Sequence, residues 1–399
     1  MLGAITVLVV AACSGATVPA ATGRPQPAPG ANVDPAAQSG AAGQRHPAPG
    51  HADRERSGAP PSDGTGDDRR SGPVDVLLAD SATVVWRADA GPSLFAAPVV
   101  VGSVVVVAGG DGRIRAISVD RGRRQWQRRL EGPLRSLAHG GALLFTGADR
   151  ENGHGYAVRL VDGSPQWTRR LGTVRHAPAL AGDTLWVATD AGVHALEAES
   201  GAMLWSAELR APVASPLLVG PEVLVATRAD TLYHLDRATG RVTARSPLPG
   251  RVSATPLAWG GVLLVPLHSG RLLAYDAGAR TTRWSAELDA PILASPVHTE
   301  SGGAYVLTGS AELWHLPAGA EEPRRVADLD GAATGSLAVS GDHAIVGRLD
   351  GELIVVRPDG TIAWRQRLDD SIVAPVAVAG GAIYAPLLRG TLVKLEAVR

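Results

Sequence analysis

Gly192-Val-His-Ala-Leu-Glu-Ala-Glu-Ser-Gly-Ala-Met-Leu-Trp-Ser-Ala-Glu-Leu209 reads as a strand, a polar turn ending in Ser200-Gly201, and a second strand carrying Trp205. Gly201 suits a turn position with positive φ, and apolar residues alternate with polar ones on either side, the signature of a hairpin. The phrase recurs. A Trp followed four residues later by Leu or Ala stands at Trp86, Trp126, Trp167, Trp205, Trp284 and Trp364, with Ala244 and Arg325 in register at the two gaps. The steps between these eight positions are 40, 41, 38, 39, 40, 41 and 39 residues.

A second landmark keeps the same phase: a small residue before Pro at Ala97-Pro98, Ala177-Pro178, Ser215-Pro216, Thr255-Pro256, Ser295-Pro296 and Ala374-Pro375, with Ser136-Leu137 and Gly335-Ser336 filling the gaps. Two independent markers at one period of about 40 residues of strand and turn are the mark of a β-propeller, one blade per repeat. Unrelated hairpins would not hold such a register eight times. Abundant Gly and Pro, 48 and 29 of 399 residues, with short apolar runs, agree with an all-β array.

The two ends are fragments of one repeat. Thr83-Val-Val-Trp86-Arg-Ala is a Trp strand with no partners before it, while residues 372–396 supply three strands and stop where a Trp strand is due. Pairing the first strand with the last three predicts an eight-bladed propeller of four-stranded antiparallel blades, seven continuous and one shared by the termini. Such closure removes the exposed sheet edges of an open array. The folded domain is expected over 74–399, as a monomeric ring. Blade two carries a longer turn at 148–155, and long loops on rigid scaffolds are common sites of function.

Ahead of the propeller lie two other segments. Residues 1–12 form a short apolar run, too short to cross a bilayer, and Val10-Ala-Ala-Cys13 matches a bacterial lipobox. This predicts a lipoprotein signal segment with Cys13 lipidated. As the chain's sole cysteine, Cys13 leaves no intrachain disulfide. Residues 13–73 are rich in Ala, Pro, Gly and charge and nearly empty of large apolar side chains. The segment reads as a disordered tether.

The repeat at 195–205, echoed at 116–126, 234–244 and 274–284, resembles the PQQ-type (quinoprotein-like) propeller repeat over about residues 83–396. In that family the repeated Trp docks between neighbouring blades. The resemblance therefore implies a structural role for Trp86, Trp126, Trp167, Trp205, Trp284 and Trp364. A large flat side chain filling the gap between twisted sheets is the same reading from physics.

Two branches of the family differ in function. Quinoprotein dehydrogenases hold PQQ over a Ca²⁺ ion bound by several oxygen ligands, and many carry a vicinal cysteine pair. This chain has two Asn, Asn32 in the tether and Asn152 in the long turn, and one Cys, so no cofactor or metal is expected. The other branch is the BamB-like propeller lipoprotein of the outer-membrane β-barrel assembly machinery, which shares the lipobox and the eight blades. Ser14 after the lipidated Cys suits export to an outer membrane. The implied function is a non-enzymatic scaffold that binds envelope proteins and meets the membrane only through its lipid, with catalytic residues none; a PQQ-dependent dehydrogenase and a carbohydrate-binding surface propeller are the alternatives.

Other chemistry lacks its residues. There is no Gly-x-Ser-x-Gly elbow, no His-Glu-x-x-His and no Cys cluster. A net charge of −1 offers no basic excess for phosphate neutralisation, so nucleic acid is not an expected partner. His194, His234 and His315 sit one to a blade on third strands and read as half-buried histidines. The residues just ahead of each small-Pro landmark should line the channel mouth. There Arg135, Arg175, His176 and Arg251 predict a positive sector for acidic groups of a partner.

Overall fold

The structure, a computed structural model, describes residues 80–398; Cys13, the signal segment 1–12 and the tether 13–73 lie outside the described residues. The described chain forms eight four-stranded antiparallel sheets. In seven of them the strands follow one another outwards from the axis in sequence order. Blade 3, for example, runs Ala179–Ala181, Thr184–Thr189, Gly192–Glu197, Met203–Glu208. The eighth holds Ala377–Ala379, Ala382–Pro386 and Thr391–Ala397, with Ala82–Asp89 as its outermost strand, paired from Ala82 opposite Ala397 to Asp89 opposite Thr391.

The core is divided. Eight apolar clusters each lie between two consecutive blades, and the pair formed by blades 8 and 1 is packed like the rest. Alternation makes this possible. On the strand Val104–Ala108, Val105 and Val107 face blade 8 while Val106 and Ala108 face blade 2. Second and third strands buried on both faces lose the polar alternation of a half-exposed strand and read as continuous apolar runs.

Each blade's third and fourth strands slip by one residue at a bulge. In seven blades the extra residue stands directly before the Trp register position, turning that side chain towards the next blade. Four indoles use this to dock. The ring N–H groups of Trp86, Trp126, Trp167 and Trp205 donate to the carbonyls of Val119, Leu160, Ala198 and Arg237 at 2.8–3.0 Å. Each ring also lies on a turn glycine of that neighbour. A Cβ at Gly240, where φ is 71°, would stand 2.3 Å from the Trp205 ring. The Gly and the Trp of the repeat are thus halves of one joint, contributed by adjacent blades. Trp284 departs from this: it is half-buried in the cluster between blades 5 and 6, and nothing comes within 4 Å of a Cβ placed at Gly319, the turn it would cover.

The second landmark has its own task around the axis. Thr255 Oγ1 accepts from the Ser215 backbone N–H at 3.3 Å, and Ser295 Oγ accepts from that of Thr255 at 3.1 Å. The hydroxyls ahead of Pro256 and Pro296 thereby link inner strands of successive blades.

Candidate functional site

The loops leading into the inner strands and the turns joining second to third strands share one end of the ring. Five isolated bridges tie the two kinds of loop together, among them Leu134 with Ala148 and Val252 with Leu267. The turns joining third to fourth strands, such as the one after Ser118, bond instead to first-to-second turns at the opposite end, as Val119 does to Ser103.

At the first end, a small cavity at the channel mouth is lined by Phe95, Arg135, Arg175, His176, Ser215 and Thr255, among others. It brings together three of the four residues singled out in the sequence. Arg251, exposed on the loop into blade 5, is not part of its lining. What organises the mouth is Asp149, from the long turn of blade 2. Its two carboxylate oxygens meet Arg135 Nε at 2.5 Å and Arg175 Nε at 2.8 Å, and its own N–H donates to the Pro133 carbonyl. The Arg135 guanidinium also stacks 4.5 Å above the Phe95 ring, a cation–π contact.

This arrangement amends the expected positive sector in two respects. One carboxylate is shared by two guanidiniums, so part of their charge is neutralised in place. His176 carries none at neutral pH: burial and the adjacent Arg175 charge push it down to about 4, against the opposing pull of the Pro212 carbonyl and Asp149. The mouth therefore presents oriented donors around a fixed carboxylate, with a flat Arg–Phe stack beside it. Asp149 and Phe95 were not singled out in the sequence. The one available signal was the length of the 148–155 turn, which positions Asp149. Asn152 of that turn accepts from Arg170 on blade 2's outer strand.

The third-strand histidines also differ from expectation. His194 and His315 are half-buried, but His234 is wholly enclosed. Its Nδ1 lies 2.9 Å from Glu222 Oε2, and its Nε2 lies 3.1 Å from the Tyr275 hydroxyl of blade 5 and 3.3 Å from Ser246 Oγ. Burial opposes charge on Glu222, but hydrogen bonds from His234 and Thr243, with the charges of His234 and Arg280, hold its carboxyl below the usual range. The order hydroxyl–imidazole–carboxylate is that of a nucleophile and its base. Ser246, however, is 6% exposed and its oxygen already accepts from Tyr275, so no nucleophile is presented. The cluster is a polar clamp between blades 4 and 5, at the blade where Ala244 replaces the docking Trp and pairs with His234.

Among the described residues, no three His, Cys, Asp or Glu side chains converge where a metal ion could be held. Eight four-stranded blades, a repeat whose Trp couples to a turn Gly of the next blade at four of the joints, and a polar channel mouth define a PQQ-type propeller. The family described as outer membrane protein assembly factor BamB matches residues 69–171, 151–300 and 303–398, and the chain belongs to it. Outer membrane protein assembly factor BamB of Bordetella pertussis is 27% identical over 263 residues, which are 60% of this chain and 66% of that protein. The chain thus spans just under two thirds of that relative's length. Among solved structures, BamB from Moraxella catarrhalis superposes with a TM-score of 0.66 at 19% identity, over 79% of this chain and 98% of that one. A quinohemoprotein alcohol dehydrogenase from Comamonas testosteroni gives 0.64 at 12% identity, over 83% and 79%. At such identities the structural likeness is one of fold.

Proposed function

We propose that this chain is a non-enzymatic scaffold of the cell envelope, anchored by lipid at Cys13, that binds protein partners in outer-membrane β-barrel assembly through its channel-mouth face. The family match across all eight blades, between residues 69 and 398, carries the reading. The face itself supports it. Guanidiniums held by Asp149 and Phe95 are pre-ordered, so little side-chain entropy is lost when acidic or carbonyl groups of a partner arrive. Arg251, on the loop into blade 5, extends the same face. The partners are envelope proteins; the localisation is the outer membrane, facing the periplasm or the cell surface.

The test is capture of native envelope partners by the full chain and by a variant carrying Arg135→Ala, Arg175→Ala and Arg251→Ala. The variant should keep its thermal transition within a few degrees and lose most of the captured protein at moderate salt. Equal recovery by a folded variant would show that this face is not the binding surface. Supplying PQQ and Ca²⁺ with a dye acceptor should give no alcohol or sugar oxidation; sustained turnover would replace the scaffold with a quinoprotein enzyme.

A further inference from the structure

We propose that the rim of blades 8, 1, 2 and 3 at the opposite end of the ring is a docking surface for an anionic phospholipid bilayer. The argument begins with blade 1. Its turn and outer strand, Val119-Asp-Arg-Gly-Arg-Arg-Gln-Trp-Gln-Arg-Arg-Leu130, carry five Arg and one Asp, the largest basic excess on any blade's rim. Arg121, Arg123 and Arg124, at the turn end of this stretch, are exposed, and among the described residues none of them is in an ion pair; Arg129 stands opposite Arg113 at the strand's other end, towards the mouth. Several outer-strand arginines on other blades are neutralised, as Arg87 is by Asp369, Arg283 by Asp276 and Arg325 by Glu312. Among the described residues, Arg169 and Arg170 of neighbouring blade 2 meet only neutral acceptors, the Gly201 carbonyl and Asn152 Oδ1.

Exposed large aliphatics gather around these unpaired cations. Six are exposed in the described chain; three lie on the blades flanking blade 1, Val85 and Val398 on blade 8 and Val161 on blade 2, and two more, Met203 and Leu204, on blade 3 beyond blade 2. Val161 is 78% exposed at the tip of its turn. The Trp joints make the strip continuous. Trp86 of blade 8 covers Gly122, between Arg121 and Arg123; Trp126 covers Gly163, two residues past Val161; Trp167 covers Gly201, two residues before Met203.

The start of the described chain lies at this same end. Ser81 accepts from the Val398 N–H, and Asp80 pairs with Arg357, which opens blade 7's third-to-fourth turn. A chain leading from a lipidated Cys13 therefore joins the ring on the side of the rim, away from the channel mouth; this part of the argument rests on the lipoprotein reading above. Unpaired arginines among shallowly exposed aliphatics suit a bilayer surface, where cations meet headgroup phosphates and short apolar side chains enter the interface. A protein partner would be expected to find a compact apolar centre with a polar rim; here the aliphatics are spread along four blades.

The experiment uses the full chain with Cys13→Ser, which carries no acyl group, and measures co-sedimentation with vesicles. The protein should partition onto phosphatidylcholine vesicles containing phosphatidylglycerol, scarcely onto phosphatidylcholine alone, and less as salt is raised. Arg121→Ala, Arg123→Ala and Arg124→Ala together should weaken partition about a hundredfold. Val161→Ser with Leu204→Ser should weaken it further, and Arg365→Ala with Arg367→Ala on blade 7 should leave it unchanged. All these positions are at the surface, and unchanged thermal transitions would show that the variants fold. Partition equal on both vesicle types, absent from both, or indifferent to the blade 1 substitutions overturns the proposal. Metabolic labelling of the unsubstituted chain with a fatty acid reports on Cys13 separately, so failure of the anchor and failure of the rim are told apart.

Discussion

The joint between Trp205 and Gly240 carries a specific energetic expectation. Removing the ring should cost about 3–5 kcal/mol, as for large aromatics in packed sites. Gly240→Ala should also be costly, because its Cβ would stand 2.3 Å from the ring and its φ of 71° disfavours a side chain. Once the ring is gone the clash disappears, so the double variant should be more stable than the two single losses predict. Urea unfolding of the four proteins measures that coupling, and strict additivity would refute the joint. Gly319→Ala, with open space at its Cβ, should cost only the positive-φ strain of about 1 kcal/mol.

His176 gives a second expectation at this scale, in pH. Its folded pKa of about 4 lies below its ordinary 6.5, so the fold favours the neutral ring. The associated stability is complete above the unfolded value and is lost as pH falls from about 6.5 through about 4, by up to about 3 kcal/mol. Unfolding free energies across that window, compared with His176→Gln, check it: the variant should show a flatter profile. Parallel profiles would mean the ring is not held neutral.

Among the elements, Ala82–Asp89 matters most. It is last in blade 8's sheet, and the Trp86 it carries also docks on blade 1, so it contributes to two interfaces at once. Its removal uncovers the edge of Thr391–Ala397, a strand whose backbone groups would then lack partners. Deleting residues 74–90 should give a protein that aggregates in size-exclusion chromatography and unfolds without a sharp transition. A soluble monomer with cooperative unfolding would show that the remaining blades hold the ring without it. Between blades 4 and 5 the His234 clamp shows that an element can keep its place after losing its landmark: a satisfied polar network occupies the gap that elsewhere holds an indole.

At the scale of the molecule, the two ends of the ring differ in character. One carries the Asp149-centred mouth and the long turn of blade 2; the other carries the third-to-fourth turns, the unpaired arginines and the incoming chain. A propeller bound to a bilayer by the second end would turn the first towards its partners. The partner-capture and vesicle experiments are therefore independent. Arg135→Ala and Arg175→Ala should not alter partition, and the blade 1 substitutions should not alter capture by the mouth.

The sequence by itself determined the fold, because a propeller's blade is a local unit. Strand, turn and Trp all fall within about 40 residues, and repetition multiplies a weak signal until register alone counts the blades. The shared eighth blade was legible for the same reason, since Trp86 and residues 372–396 are complementary parts of one repeat. What the sequence left undecided depends on contacts between repeats. Asp149 reaches Arg135 and Arg175 only when three successive loops converge. His234 is buried only because Tyr275 of the next blade closes over it, and Arg121, Arg123 and Arg124 stay unpaired because, among the described residues, no carboxylate of their own or a neighbouring turn reaches them. Charge and burial at those positions are set by neighbours elsewhere in the same or the next repeat and a few ångströms away in space, and periodicity carries no record of them.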